Sequence, residues 1–110
     1  GRRLAVMDPA LALADIQVLP PSPQPEVIHV DRFGNLITSY RVPAGQAPLA
    51  VTIGSVRLSG LARTFADVKP GEVLAYVGSS GHLEIAVRDG SAARELGAGP
   101  GSPVQVQSLP

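Results

Sequence analysis

Apolar residues fall in short runs rich in Val, Ile and Leu, broken by Gly, Pro and small polar residues. Such runs are too short for typical helices and read as strands joined by turns. Residues 27–30 form a first strand, with Ile28 and Val30 on one face and Val27 and His29 on the other. Residues 31–35 have turn chemistry, residues 36–42 are a second strand, and 43–48 a loop. Residues 49–53 and 56–58 flank Gly54-Ser55, a two-residue connection with Gly first, the type II′ hairpin signal. Pro70-Gly71 marks a further turn. Residues 73–77 and 83–87 are strands joined by Gly78-Ser79-Ser80-Gly81. Residues 91–96 predict one or two helical turns capped by Ser91 and stopped by Gly97. Gly99-Pro100-Gly101 then turns the chain into a last strand, 104–106.

The first 25 residues follow another pattern. Residues 4–13 are rich in Ala and Leu and predict a short helix, with Asp8 as its cap and Pro9 at its first position. Residues 19–25 carry four prolines in seven positions, which favours extended backbone and reads as a linker. Two units are therefore expected: 1–25, a linker with a short helix from a preceding N-terminal domain, and 26–110, a folded domain. The chain opens on Gly1, so a fragment of something longer is expected. The expected fold is mainly β, a small antiparallel β-barrel with one short helix near the C-terminus. Closure is expected because about seven short strands would otherwise leave sheet edges exposed.

Composition narrows the function. Of 110 residues, nine are basic and nine acidic, so the formal net charge is zero. Neutralising nucleic-acid phosphates needs an excess of Lys and Arg, which argues against a general nucleic-acid binder. The absence of Cys removes disulfides, thiolate metal ligands and a thiol nucleophile. No run of about 18 apolar residues is present to span a bilayer as a helix. No membrane partner is expected, and a cytoplasmic location is. His29 and His82 lie in or beside separate strands with no third ligand at a telling distance, so no metal is expected. Gly-rich phosphate loops, Asp-rich calcium loops and a Gly-x-Ser-x-Gly elbow are all missing.

Three clusters carry possible chemistry. Asp31-Arg32-Phe33-Gly34-Asn35 reads as a turn, with Gly34 at positive φ and Asp31 capping the loop backbone. The same residues offer a carboxylate for an ammonium group and an Asn amide for a nucleobase or ribose edge. Leu61-Ala62-Arg63-Thr64-Phe65-Ala66-Asp67 reads either as a core-facing aromatic beside a solvated Asp or as an aromatic face for a flat heterocycle. Gly78-Ser79-Ser80-Gly81-His82-Leu83-Glu84-Ile85-Ala86-Val87, running on to Arg88-Asp89-Gly90-Ser91, reads as a serine-rich hairpin or as hydroxyls and amides for a carboxylate. The second reading adds free backbone groups near Val87 and Asp89 for a purine edge.

In this order and spacing, the clusters resemble one family. Ile28-His29-Val30-Asp31-Arg32-Phe33-Gly34-Asn35-Leu36-Ile37-Thr38 is similar to the opening of the C-terminal domain of the S-adenosyl-L-methionine hydroxide adenosyltransferases. The fluorinating and chlorinating enzymes of the same superfamily share that domain. Thr64-Phe65-Ala66-Asp67-Val68 with Pro70-Gly71-Glu72 resembles the next motif. Gly78 to Val87, with Gly90-Ser91-Ala92-Ala93, resembles the third. The resemblance runs from about Val27 to Val106.

The resemblance implies a two-domain enzyme whose larger N-terminal α/β domain precedes this one. It also implies a homotrimer in which each substrate pocket lies between the N-terminal domain of one subunit and the C-terminal domain of the next. The implied reaction is substitution at the ribose 5′ carbon of S-adenosyl-L-methionine: water or hydroxide attacks, methionine leaves and adenosine forms. No cofactor is implied. By this resemblance Asp31 would bind the methionine ammonium, and Ser79 with Ser80 the carboxylate. Phe65 would stack on adenine, Asn35 with backbone groups of Val87 and Asp89 would read the adenine edge, and Phe33 would line the pocket. Glu84 and Arg88 fall inside the third motif and are carried as site residues without an assigned role. No catalytic residue is expected in this chain, because the family's water-activating Asp, Arg and His belong to the other domain. Ser80 stands where halide-using members tend to have Arg, which favours the hydroxide branch. Phe65 and His82 stand where Tyr is common, and Arg88-Asp89 where Asn-Gly is frequent. The competing expectations are a halide-using adenosyltransferase and a non-catalytic barrel that binds a nucleoside or a protein.

Overall fold

The computed structural model describes residues 24–45 and 48–109. The expected helix at 4–13 and most of the proline linker lie outside the described residues. Gln24 and Pro25 are already tied to the domain: the Gln24 side-chain amide donates to the Val104 carbonyl, and the Val104 N–H donates to the Pro25 carbonyl, both at 2.9 Å.

Among the described residues, seven strands and one short helix follow one another: β1 (Val27–Val30), β2 (Leu36–Arg41), β3 (Leu49–Ile53), β4 (Val56–Ser59), β5 (Val73–Val77), β6 (His82–Val87), α1 (Ala92–Leu96) and β7 (Gln105–Ser108). A 3-10 turn, Phe65–Asp67, lies between β4 and β5. All pairings are antiparallel, in two sheets ordered β1-β2-β6-β5 and β4-β3-β7. The predicted strands are all present within two residues of their expected ends. Gly54 takes φ +58 with no positive φ at Ser55, and Ile53 pairs with Val56, as a Gly-first hairpin requires. Ser91 caps α1 through a bond from the Arg94 N–H, and the Gly97 N–H closes it onto the Ala93 carbonyl.

The two sheets are not closed into the expected barrel. Where β1 approaches β7, the one residue pairing is Glu26 with Pro103, flanked by backbone bonds from the Val27 N–H to the Ser102 carbonyl and from the Val104 N–H to the Pro25 carbonyl; the pairing does not run on into β1 and β7. On the opposite margin, one backbone bond from Ala62 to the Ala75 carbonyl joins the segment after β4 to β5. The edges are thus covered locally by a few backbone bonds and loops, which satisfies the edge requirement without a continuous ladder.

Between the sheets lies one apolar core: Val27, Leu36, Val51, Leu83, Ile85, Val87 and Val104 are each at most 1% exposed. Each such side chain stabilises the fold by about 1.5–3 kcal/mol on burial. Two irregularities break the simple alternation. In β1, Val27 pairs with Thr38 but His29 pairs with Ile37, so Ile28 is an extra, bulged residue. Val27 is consequently buried, while Ile28 and His29 are both exposed; the expected sharing of faces along β1 does not hold, because a bulge resets the period. In β2 the register to β6 slips between Ile37 and Arg41. There the buried Thr38 hydroxyl donates to the Leu83 carbonyl at 2.7 Å, and the His82 ring reaches the Thr38 carbonyl at 2.8 Å. Side chains replace the backbone partners that the slip removes.

Candidate functional site

The Asp31–Asn35 turn is built around its carboxylate. One Asp31 oxygen accepts from the Phe33 and Asn35 N–H groups, both at 2.9 Å, and the other accepts from the Asn35 side-chain amide at 3.1 Å. This holds the Asn35 Nδ2 toward Asp31 and leaves Oδ1 and the second amide proton without a partner among the described residues. Gly34 takes φ +86 and presses against Ser91; its carbonyl accepts from the Ala93 N–H at 2.9 Å. The turn is thereby docked on the start of α1. Phe33 projects into solvent, 64% exposed, with the Arg32 guanidinium 5.0 Å from its ring centre.

Phe65 is placed by a reciprocal cap. The Thr64 hydroxyl accepts from Ala66, and the Asp67 carboxylate accepts from the Arg63 and Thr64 N–H groups. Those two backbone bonds, Arg63 first, hold the Asp67 carboxyl below the ordinary aspartate value. The Arg88 guanidinium donates to the Val68 carbonyl at 2.6 Å, tying this turn to the end of β6. The backbone of Arg88 is also engaged, with Glu72 and Gly71. Asp89 adopts φ +61, the one positive φ at a non-glycine residue among the described residues. Its backbone amide and carbonyl have no protein partner there.

These pieces converge. Phe33, Asn35, Phe65, Val87, Asp89 and Gly90 line a concavity of about 430 Å³. Five of the ten residues expected at a site from sequence stand together here, drawn from all three motifs. Asp31 lies behind Asn35, and Arg88 behind the Phe65 turn. Ser79 and Ser80 do not line this concavity. They occupy the turn before His82, and β6 spans six residues from His82 to Val87, on the order of 17 Å of strand. Both serines are exposed there. The resemblance asks one extended ligand to reach both ends of β6.

Glu84 points neither to the concavity nor to bulk solvent alone. Its carboxylate accepts from the Tyr76 hydroxyl at 2.8 Å. The Tyr76 ring meets Phe65 edge-on, with centroids 5.6 Å apart at 66°. Burial, then the bond to Glu84, pushes the Tyr76 hydroxyl well above its ordinary value. Tyr76 was not among the residues expected from sequence. Equal counting outward from Gly78 and Gly81 would set Tyr76 opposite Leu83; the loop takes in one more residue, with the Gly78 N–H donating to the His82 carbonyl, and this puts Tyr76 opposite Glu84. At the same end of β6, His82 bridges two groups. A carbonyl only accepts, so Nδ1 carries the proton toward Thr38, and Nε2 accepts from Arg41 at 3.1 Å. Among the described residues no three His, Asp or Glu side chains gather as metal ligands, and no helix is long and apolar enough to cross a membrane.

By architecture and site, the chain is a mainly-β domain that presents an aromatic-walled, amide-rimmed concavity between strand ends. It belongs to the SAM hydroxide adenosyltransferase C-terminal domain family, whose model matches residues 25–105. The chain is 45% identical over 85 residues to an (R)-S-adenosyl-L-methionine hydrolase of Thermus thermophilus, covering 76% of this chain and 32% of that protein. It is 38% identical over 85 residues to one of Salinispora tropica, covering 74% and 31%, and 36% identical over 118 residues to one of Salinispora arenicola, covering 96% and 44%. Among solved structures, a conserved hypothetical protein from Thermus thermophilus superposes with a TM-score of 0.67 at 42% identity, covering 81% of this chain and 37% of that one. An uncharacterized conserved protein from Thermotoga maritima gives 0.61 at 32% identity, covering 74% and 34%. The chain thus spans between about a third and under half of the curated relatives it matches.

Proposed function

We propose that this chain is the substrate-positioning domain of an enzyme that hydrolyses S-adenosyl-L-methionine to adenosine and methionine. The observation that carries the reading is the concavity in which Phe33, Asn35, Phe65, Val87 and Asp89 meet from three distant stretches of sequence. Its size falls in the range of about 300–1,000 Å³ usual for small-molecule sites. Phe65 supplies a stacking face for adenine. Asn35, with its amide aimed by Asp31, presents an acceptor and a donor to the purine edge, and the unpartnered backbone groups of Asp89 stand beside it. The ammonium and carboxylate of methionine share one carbon, so a methionine held at Asp31 keeps both groups on this side of β6, away from Ser79 and Ser80. Asp31 retains lone-pair capacity beyond its three loop bonds for the ammonium.

The reaction asks little covalent work of this domain. A sulfonium is already a good leaving group: the oxygen of water bonds to the ribose 5′ carbon as the carbon–sulfur bond breaks, the electron pair stays on methionine sulfur, and a proton passes to solvent. Alignment of the two reactants is then the main contribution. In this reading a preceding α/β domain supplies the water-activating residues, and no cofactor is used. The domain works as part of a cytoplasmic homotrimer, in which a neighbouring subunit's N-terminal domain covers the exposed Phe33 and Phe65 rings. Ser80, in place of an arginine, favours hydroxide over halide as the nucleophile.

The test is product analysis with the complete enzyme. Adenosine and methionine are expected in equal amounts from S-adenosyl-L-methionine. Formation of a halogenated nucleoside without adenosine, or of neither product, overturns the proposal. Phe65→Ala is expected to weaken adenosine binding by about 1–3 kcal/mol; unchanged affinity removes Phe65 from the adenine site.

A further inference from the structure

Glu84 lies inside a matching motif yet touches no part of the concavity, and its surroundings give it a role. Its carboxylate is held on two sides. One oxygen accepts from the Tyr76 hydroxyl at 2.8 Å. The rest of the carboxylate fills the space where a side chain on residue 78 would stand: a Cβ at Gly78 would fall 2.6 Å from Glu84 Cδ. Gly78 therefore leaves room for this rotamer of Glu84, and no other hydrogen-bond partner of the Glu84 carboxylate is found among the described residues. Tyr76, so anchored, sets its ring edge against Phe65. Phe65 itself sits on a three-residue 3-10 turn with no buried residue, and the ring is 40% exposed. Among the described residues, Tyr76 is the aromatic ring that meets it.

We infer that Glu84 and Tyr76 are positioning residues: a chain of contacts from Gly78 through Glu84 and Tyr76 sets the Phe65 ring as a preformed wall of the nucleobase site. The inference rests on the adenine reading of that site. The interaction is of the size that matters for a stacking platform. An edge-to-face aromatic pair contributes about 0.5–1.5 kcal/mol beyond its buried area. A tyrosine whose hydroxyl is bonded to a carboxylate has fewer ring orientations to lose when a ligand arrives. A hydroxyl donating to a carboxylate oxygen also needs only an acceptor at that point, so glutamine preserves the anchor where alanine removes it.

The experiment uses the complete enzyme with a site-specific fluorine label on the Phe65 ring, together with adenosine titration and steady-state kinetics. Glu84→Ala is expected to shift and broaden the fluorine resonance, weaken adenosine binding about 2–10-fold, and raise KM with kcat within about twofold of the parent. Tyr76→Phe, which keeps the ring but loses its anchor, is expected to follow Glu84→Ala. Glu84→Gln is expected to restore both the resonance and the affinity. In a Phe65→Ala background, Glu84→Ala is expected to add nothing to the loss of binding. A fluorine resonance unmoved by Glu84→Ala overturns the positioning role. So do losses from Glu84→Ala and Phe65→Ala that simply add. An adenosine affinity insensitive to Phe65→Ala overturns the adenine reading instead, whatever the resonance does.

Discussion

Gly34→Ala isolates the contact on which the shape of the site depends. Gly34 takes φ +86, and a Cβ there would overlap the Ser91 hydroxyl, 2.6 Å from Ser91 Cβ and 2.9 Å from its Cα. Three costs combine. A left-handed φ at a residue with a Cβ costs about 1–2 kcal/mol. Displacing Ser91 removes the cap of α1, about 1 kcal/mol, because its hydroxyl accepts from the Arg94 N–H. Overpacking against backbone adds about 1–3 kcal/mol. The sum, about 3–6 kcal/mol, is a large part of the stability of a domain this size. It corresponds to a fall in Tm of about 15–35 °C. Gly54→Ala is the control: φ is +58, but the added Cβ meets nothing within 4 Å, so only the backbone cost of about 1–2 kcal/mol applies. Both variants are compared by thermal unfolding followed by circular dichroism. Equal shifts in Tm for the two would refute the claim that the turn is clamped sterically on Ser91.

Three further outcomes follow from the same structure. Asp31→Ala removes an acceptor of three loop bonds, so the amide protons of Phe33 and Asn35 should exchange with solvent much faster and adenosine affinity should fall; unchanged exchange rates would contradict the loop-holding role. Thr38→Val strips the buried bond to the Leu83 carbonyl, and a loss of about 1–3 kcal/mol in denaturant unfolding is expected, against no loss if solvent compensates. Asp67 has a depressed value in the folded state, so its contribution is present above the unfolded-state value and lost as pH falls through the folded one. The Arg63 and Thr64 amide resonances should therefore titrate with a midpoint below that of a free aspartate, with the Phe65 turn intact from neutral pH down to that point; a midpoint at or above the free value would refute the bonding.

Much of this protein is legible from local pattern. Strands with Val and Ile at alternate positions, a Gly-first hairpin at Gly54-Ser55, and a Ser91 cap with a Gly97 stop obey short-range rules, since φ preferences and the two-residue strand period act within a few residues. The Asp31 loop cap has the same origin, because its partners lie two and four residues away. Order and spacing of the three motifs likewise carry the family, which needs no coordinates. Tertiary structure alone decided the rest. Open sheets in place of a closed barrel depend on where Glu26 meets Pro103, 77 positions along, in a pairing too short to become a ladder. Bulging at Ile28 turned on the pairing with β2, not on β1 itself. Convergence of Phe33, Phe65 and Asp89 into one wall, the distance of Ser79 and Ser80 from it, and the Tyr76–Glu84 bond all follow from register between strands. Such contacts are set by the packing of the whole core, which no local run of residues encodes.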